Sequence, residues 1–578
     1  MLYPQSNPLR QALDISGIWD FCIDPSSDGE AAGWSRGLPS SRPIAVPASW
    51  NDQYLDLHDY LGLAWYQTSF GLPWGWEGRK ICLRFGSVNY GASVWVNGQL
   101  AGSHEGGHLP FEFDVSALVR PEQNRLVVCV DGSLAPDRVP PGNVPPDPND
   151  VFSNQNYPAA SFDFFPYCGI HRPVWITARH PDGIDDLKVT TGIDGADGQV
   201  AVELWAGAAA GVARFLVNGH GIQVSAEASS TNGQAAATLV IPSAMLWEPG
   251  APHLYTFAVE VHQDGAPIDQ YTLPIGIRTI AVVGDQILLN GKPVVLKGFG
   301  RHEDFAIAGR GLLPPVIVKD YALLDWIGAN SFRTSHYPYS EEMLMLADRL
   351  GYLVIAETPA VGLFFAEAGL ARRLELCRQF TQELLERDRN HPSVIMWSLA
   401  NEPHSRPAVS KPFFAELYQL ARSLDTSRPI TLVSYKGLPE ESFEFLDVVC
   451  LNRYFGWYSE MGQLDAGLAR LSEELDALHA RYPKPLIVAE FGADALPGLH
   501  ALPAEMFSEE YQADFITRYV DLLDSKPYIA GQHVWNLCDF KTAQAVHRVG
   551  GMNYKGLFTR DRQPKLAAHK LRALWKHE

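Results

Sequence analysis

From about residue 276 the chain alternates short apolar runs with segments of helical periodicity, the pattern of βα units built on a parallel sheet. Eight runs are distinguishable, starting near Val294, Ala329, Tyr352, Ser393, Ile430, Val448, Leu486 and Gln532. Segments such as SEEMLMLADRLG and SEEYQADFITRYVDLLD separate many of them. Eight repeats in roughly 300 residues predict a TIM (β/α)8 barrel over residues 276–578. The fifth-to-sixth connection carries the weakest helical signal.

The chain has 578 residues, too many for one hydrophobic core, and the part ahead of the barrel reads differently. Residues 1–180 hold short alternating segments separated by turns, such as ASVWV before the hairpin dipeptide Asn97-Gly98. Residues 181–275 repeat that pattern, with ARFLVNGHGIQVSAEA around Asn218-Gly219, at a length suited to an immunoglobulin-like β-sandwich. Two β-domains therefore precede the barrel.

The formal charge of −20 and the lack of a basic block exclude a nucleic-acid partner, because phosphate binding needs concentrated Lys and Arg. Seven cysteines without C-x-x-C spacing predict reduced thiols. No run is long and apolar enough to span a bilayer, and MLYPQSNPLRQALDISGIW lacks the features of a secretory signal, so no membrane association and a cytoplasmic location are expected.

Barrel enzymes place their chemistry at the C-terminal ends of the strands, and the fourth and seventh runs each end in a glutamate, Glu402 and Glu490. Either one alone reads equally as a strand-end surface acid. Together they match glycoside hydrolysis, in which one carboxyl group protonates the leaving oxygen while the other attacks the anomeric carbon or activates water.

Trp397-Ser398-Leu399-Ala400-Asn401-Glu402-Pro403 resembles the acid/base motif of glycoside hydrolase family 2, and Ala489-Glu490-Phe491-Gly492 resembles its nucleophile motif. The resemblance covers essentially the whole chain and implies a jelly-roll β-sandwich, an immunoglobulin-like β-sandwich and a TIM barrel. It implies a retaining mechanism, with Glu402 as general acid/base, Glu490 as nucleophile and Asn401 on the sugar 2-hydroxyl; a strand-end cap is the structural alternative for Asn401.

Arg548-Val549-Gly550-Gly551-Met552-Asn553-Tyr554-Lys555-Gly556 resembles the β-glucuronidase branch of that family. A uronic acid carries a carboxylate where a neutral hexose has a hydroxymethyl group, so its pocket needs an amide donor and a cation fixed together. By resemblance Asn553 and Lys555 fill that role, with Arg548 as a second cation or a loop anchor on backbone carbonyls. Met552 lengthens the expected spacing by one residue.

The same resemblance places Tyr454 beside the nucleophile and Tyr458 toward the uronate, in LNRYFGWY, where Phe455 replaces an expected tyrosine. It assigns His336 to sugar hydroxyls, Trp535 to the apolar face of the ring, and Asp163 of the first sandwich to the outer hydroxyls. Packing roles for the aromatics, a structural histidine and an interface acid are the alternatives.

The implied activity is exo-acting hydrolysis of a small glucuronide or a glucuronide-terminated oligosaccharide, without metal or cofactor, by a homo-oligomer. Two rivals stay open, a β-galacturonidase differing at the 4-hydroxyl and a non-catalytic carbohydrate-binding protein.

Overall fold

The computed structural model describes residues 1–144, 156–405, 407–438 and 440–577. The first unit is an antiparallel sandwich. One sheet orders Gln11–Asp14, Val174–Arg179, Lys80–Phe85 and Phe111–Asp114; the other orders Arg42–Val46, Gly17–Asp24, Leu63–Phe70, Asn124–Asp131, Gly91–Val96 and Gln99–Glu105. The turn at Asn97 (φ 54°) and Gly98 (φ 80°) has both central residues in the left-handed region, as the twist of a two-residue hairpin requires. Alternate residues of these strands, among them Phe21, Tyr66, Leu83 and Val128, form the core between the sheets.

The second unit packs a three-stranded sheet (Ile184–Asp194, Asp197–Ala206, Gln234–Ile241) on a four-stranded one (Ile222–Ser229, Val212–Gly219, Tyr255–Gln263, Ala266–Ile275). Its hairpin turns at His220 and Gly221, whose φ values are 51° and 78°, while Asn218 and Gly219 remain paired in the ladder. A small antiparallel sheet over Ile280–Val283, Gln286–Leu289 and Lys292–Pro293 follows. Its Ile287 and Leu289 share a core with Trp247 and with barrel residues such as Leu296, Ile355, Met396 and Ile487.

Eight parallel strands then close the barrel: β1 Leu296–Gly300, β2 Ser331–Arg333, β3 Leu353–Glu357, β4 Val394–Asn401, β5 Ile430–Ser434, β6 Val449–Asn452, β7 Leu486–Phe491 and β8 Ile529–Val534. Helices α1 (Pro314–Ile327), α2 (Glu341–Leu350), α3 (Leu370–Asp388), α4 (Ser410–Leu424), α5 (Leu464–Arg481), α6 (Glu509–Asp524) and α7 (Leu566–Lys576) surround it. Between β5 and β6 the described residues form a 3-10 turn, Glu441–Glu444, which explains the weak helical signal there. Strand β8 begins before the expected Gln532 because Gly531, which reads as a breaker, lies inside it; a Cβ there would meet Leu296 at 3.0 Å.

The first sandwich and the barrel share a core. Leu109, Phe162 and Phe164 pack among Phe299, Tyr337, Tyr339 and Trp535, and Arg84 pairs with Glu341 at 2.8 Å across the seam. All seven cysteines are unpaired. No helix among the described residues is long and apolar enough to cross a membrane.

Candidate active site

The C-terminal ends of five barrel strands converge on one group of charged and amide side chains. Glu402 directly follows β4 with its backbone pinned by Glu402 N donating to Val433 O at 2.8 Å. Its φ of 45° lies in the left-handed region, which disfavours a non-glycine residue by roughly 1–2 kcal/mol. Asn452, at the end of β6, donates to Glu402 Oε1 at 2.8 Å.

Glu490 lies in β7 and is 4% exposed. Tyr454 OH donates to its Oε2 at 2.6 Å, and the Arg333 guanidinium at the end of β2 donates to its Oε1. Arg333 also reaches Glu357 at the end of β3 at 2.7 and 2.9 Å and Asn401 Oδ1 at 3.3 Å. Asn452 donates to the same Asn401 oxygen at 3.3 Å, so one network ties both catalytic candidates together. The Asn401 amide nitrogen has no hydrogen bond among the described residues.

Burial pushes the carboxyls of both Glu402 and Glu490 upward, and the neighbouring Glu402 charge adds to the rise at Glu490, which reaches about 8. Two carboxyls raised together in this way titrate as a coupled pair that shares its protons. Hydrogen-bond donors decide where they sit. Glu490 faces a guanidinium and a phenol, both of which favour an anion, whereas Glu402 faces a single amide. That donor set favours the anion on Glu490 and the proton on Glu402.

His336 connects this layer to the aromatic wall. Its Nδ1 is 3.0 Å from Glu357 Oε1 and its Nε2 is 3.5 Å from Glu490 Oε1. Burial, reinforced by Arg333, keeps the imidazole well below its usual range and hence neutral. Trp535 is 3% exposed and stacks on His336 with centroids 4.8 Å apart.

A second polar group forms the adjoining wall. Lys555 is fully buried; Nζ donates to Tyr458 OH at 2.9 Å and to Asp494 Oδ2, four residues beyond Glu490. Nζ lies 5.8, 5.2 and 4.7 Å from the ring centroids of Tyr454, Trp457 and Tyr458. Although burial pushes the Asp494 carboxyl up, Lys555 and Arg548 hold it below the ordinary carboxylate range. Arg548 donates to Asp163 Oδ1 at 2.9 Å and to Tyr458 OH at 2.9 Å, and Asn553 Nδ2 donates to Asp163 Oδ2 at 2.9 Å. Among the described residues Arg548 thus binds side chains and no backbone carbonyl. Asp163 sits between the buried Phe162 and Phe164, whose anchoring in the barrel core turns the acid toward this wall.

The extra residue Met552 is absorbed locally. Gly550 and Gly551, at φ 62° and 68°, turn the chain so that Met552–Asn553 pairs with Phe540–Lys541.

All eleven side chains singled out from the sequence fall in these two connected groups. Arg333, Glu357, Asn452 and Asp494 belong to the same groups although no motif marks them; the first three close expected strands and Asp494 follows Ala489-Glu490-Phe491-Gly492. The strand-end position that points to Glu402 applies equally to the first three.

Family models for glycosyl hydrolases family 2 match in succession: the sugar binding domain over residues 12–180, a family 2 domain over 183–278 and the TIM barrel domain over 280–577. A β-glucuronidase of Paenibacillus borealis is 40% identical across 100% of this chain and 98% of its own. The structure of an uncultured Clostridium sp. β-glucuronidase is similar with a TM-score of 0.93 and 40% identity, covering 100% of both chains. That of a Ruminococcus gnavus β-glucuronidase in complex with D-glucuronic acid is similar with a TM-score of 0.92 and 37% identity, covering 99% of each.

Proposed function

The chain belongs to glycoside hydrolase family 2, and from that premise we propose that it is a β-glucuronidase, removing terminal β-D-glucuronate by double displacement with retention of configuration. Glu402 protonates the glycosidic oxygen while ionised Glu490 attacks the anomeric carbon; Glu402, now a base, then activates the water that releases the sugar. Arg333 and Tyr454 keep Glu490 charged and aimed. Asn401 offers its amide to the 2-hydroxyl, and Asp163 accepts from the outer hydroxyls. Trp535 supports the pocket through His336, its ring face being occupied by that stack.

The observation that carries the uronate reading is Lys555, a lysine with no exposed surface beside the nucleophile's own tyrosine. Two of its N–H groups go to Asp494 and Tyr458, and the third is available to a substrate carboxylate. The relatives named above, β-glucuronidases one of which is described with D-glucuronic acid, favour the glucuronide over the galacturonide. Initial rates on a panel of aryl β-glycosides (glucuronide, galacturonide, glucoside, galactoside) test this reading. The glucuronide is expected to lead, and equal rates on the glucoside would refute the uronate assignment. Proton NMR of the first-formed anomer tests retention, with α-glucuronate as the contrary result.

A further inference from the structure

Behind the aromatic wall, the loop from β1 to α1 carries Arg310 into the seam between the first sandwich and the barrel. It is 3% exposed, yet forms no ion pair among the described residues. Its Nε and Nη1 have no hydrogen-bond partner there, and Nη2 makes only a long 3.5 Å contact to Phe165 O. The rings of Phe164 and Tyr337 lie 5.1 and 4.3 Å from its central carbon. They screen the charge but offer the N–H groups no lone pair.

Arg310 lines a small open cleft with Arg172, Arg301, Glu303 and Asp304. Each nearby carboxylate is already claimed. Arg172 holds Glu303 at 3.1 Å, Arg301 and Arg562 share Asp320 at 2.6 and 3.0 Å, and Arg560 holds Asp304. Arg301, also 3% exposed, keeps Nε and Nη1 without partners among the described residues. On the sandwich side both nitrogens of His108 are buried without partners among the described residues, and His108 stacks on the same Tyr337 at 4.5 Å. The cluster holds more cations than anions and more hydrogen-bond donors than acceptors.

Arginine does not shed its proton in a protein, and a buried cation without an opposite charge is strongly disfavoured. We propose that the cleft beside Arg310 binds a small monovalent anion of the halide class, chloride under ordinary conditions. A halide suits the burial better than a phosphate or sulfate dianion, which would lose far more hydration on entering. The occupant neutralises the seam that keeps Asp163 at the active site, so it acts as a structural ligand of the domain interface.

The test uses the full chain exchanged into sodium methanesulfonate and titrated with NaCl or NaBr at constant ionic strength. Thermal midpoints and anomalous diffraction from NaBr-soaked crystals are read. The expected result is a saturable rise in midpoint of about 2 °C that is lost in Arg310→Met, with bromide within hydrogen-bond distance of Arg310 Nε or Nη1. A linear halide response that is the same in wild type and Arg310→Met overturns the proposal. So does bromide that labels other sites while none lies beside Arg310. If Arg310→Met does not fold, the wild-type diffraction decides alone, and neither readout depends on the sugar that the enzyme accepts.

Discussion

Replacing Lys555 with methionine separates charge from packing, because the side chain is buried among Tyr454, Trp457 and Tyr458 and methionine keeps most of its volume. The bound uronate loses a charge-assisted hydrogen bond of about 1.5–3 kcal/mol. Asp494 loses the ion pair that held its carboxyl low, with Arg548 Nη1 at 3.7 Å as its remaining cation. A stranded carboxylate then faces the substrate's own. Together these effects amount to about 3–4 kcal/mol, or ~10²–10³-fold in kcat/KM on an aryl β-D-glucuronide. The corresponding glucoside has no carboxylate and stays within about threefold. Initial rates on both substrates, for wild type, Lys555→Met and Lys555→Met/Asp494→Asn, check the reasoning. The double variant recovers thermal stability by removing the unpaired acid but does not recover the preference for glucuronide. Parallel losses on both sugars, or an unchanged ratio between them, would refute the assignment of Lys555 to the uronate.

Other outcomes follow from the same geometry. Glu402→Ala spares bond cleavage for a dinitrophenyl glucuronide, whose leaving group needs no proton, and slows release of the sugar; rapid-mixing kinetics are expected to show a burst stoichiometric with enzyme, and a missing burst counts against the acid/base role. Glu490→Gln lowers kcat by at least about 10³-fold with every leaving group, and a smaller loss in steady-state assays contradicts its role as nucleophile. The pH profile of kcat/KM is a bell. Below both apparent values of the coupled pair Glu490 is protonated and there is no anion to attack; above the upper value, about 8, the proton that Glu402 donates is lost. A rate still rising near pH ~10 would overturn the shared-proton account. Asp163→Ala lowers kcat/KM on the glucuronide by about 10–100-fold, with little change in thermal midpoint because the side chain is 43% exposed; a large midpoint drop assigns Asp163 to the domain interface instead.

The barrel was legible because βα alternation is a periodic signal, and Glu402 and Glu490 because strand ends are where a barrel places chemistry. Strand β8 was misplaced by three residues because Gly531 serves close packing, which local pattern reads as interruption. Arg333 and Glu357 escaped for a different reason. Each reads as an ordinary charge at the end of an apolar run, and only the closed barrel shows that both have no exposed surface and meet each other. Asp494 is similar, since its meaning depends on Lys555, which lies 61 residues away in sequence. Motifs transmit the residues that do chemistry more readily than the residues that set their charge.

The chain's charge of −20 opposes an anionic substrate at a distance, yet the proposed pocket recognises one. Screening removes the long-range term beyond about 8 Å at physiological salt, so short-range arrangement decides. Within that range Lys555 and Arg548 are balanced by Asp494 and Asp163, leaving the wall close to neutral. Selectivity for a carboxylate therefore comes from fixed donors, not from excess positive charge. The spare N–H of Lys555 and the remaining amide hydrogen of Asn553 have already lost their water and are held in place by paired acids. One of those acids belongs to the first sandwich and is aimed by Phe162 and Phe164, whose rings are part of the barrel core. A change that loosens that seam should thus weaken uronate recognition before it disturbs Glu402 and Glu490, whose hydrogen-bond partners among the described residues belong to the barrel.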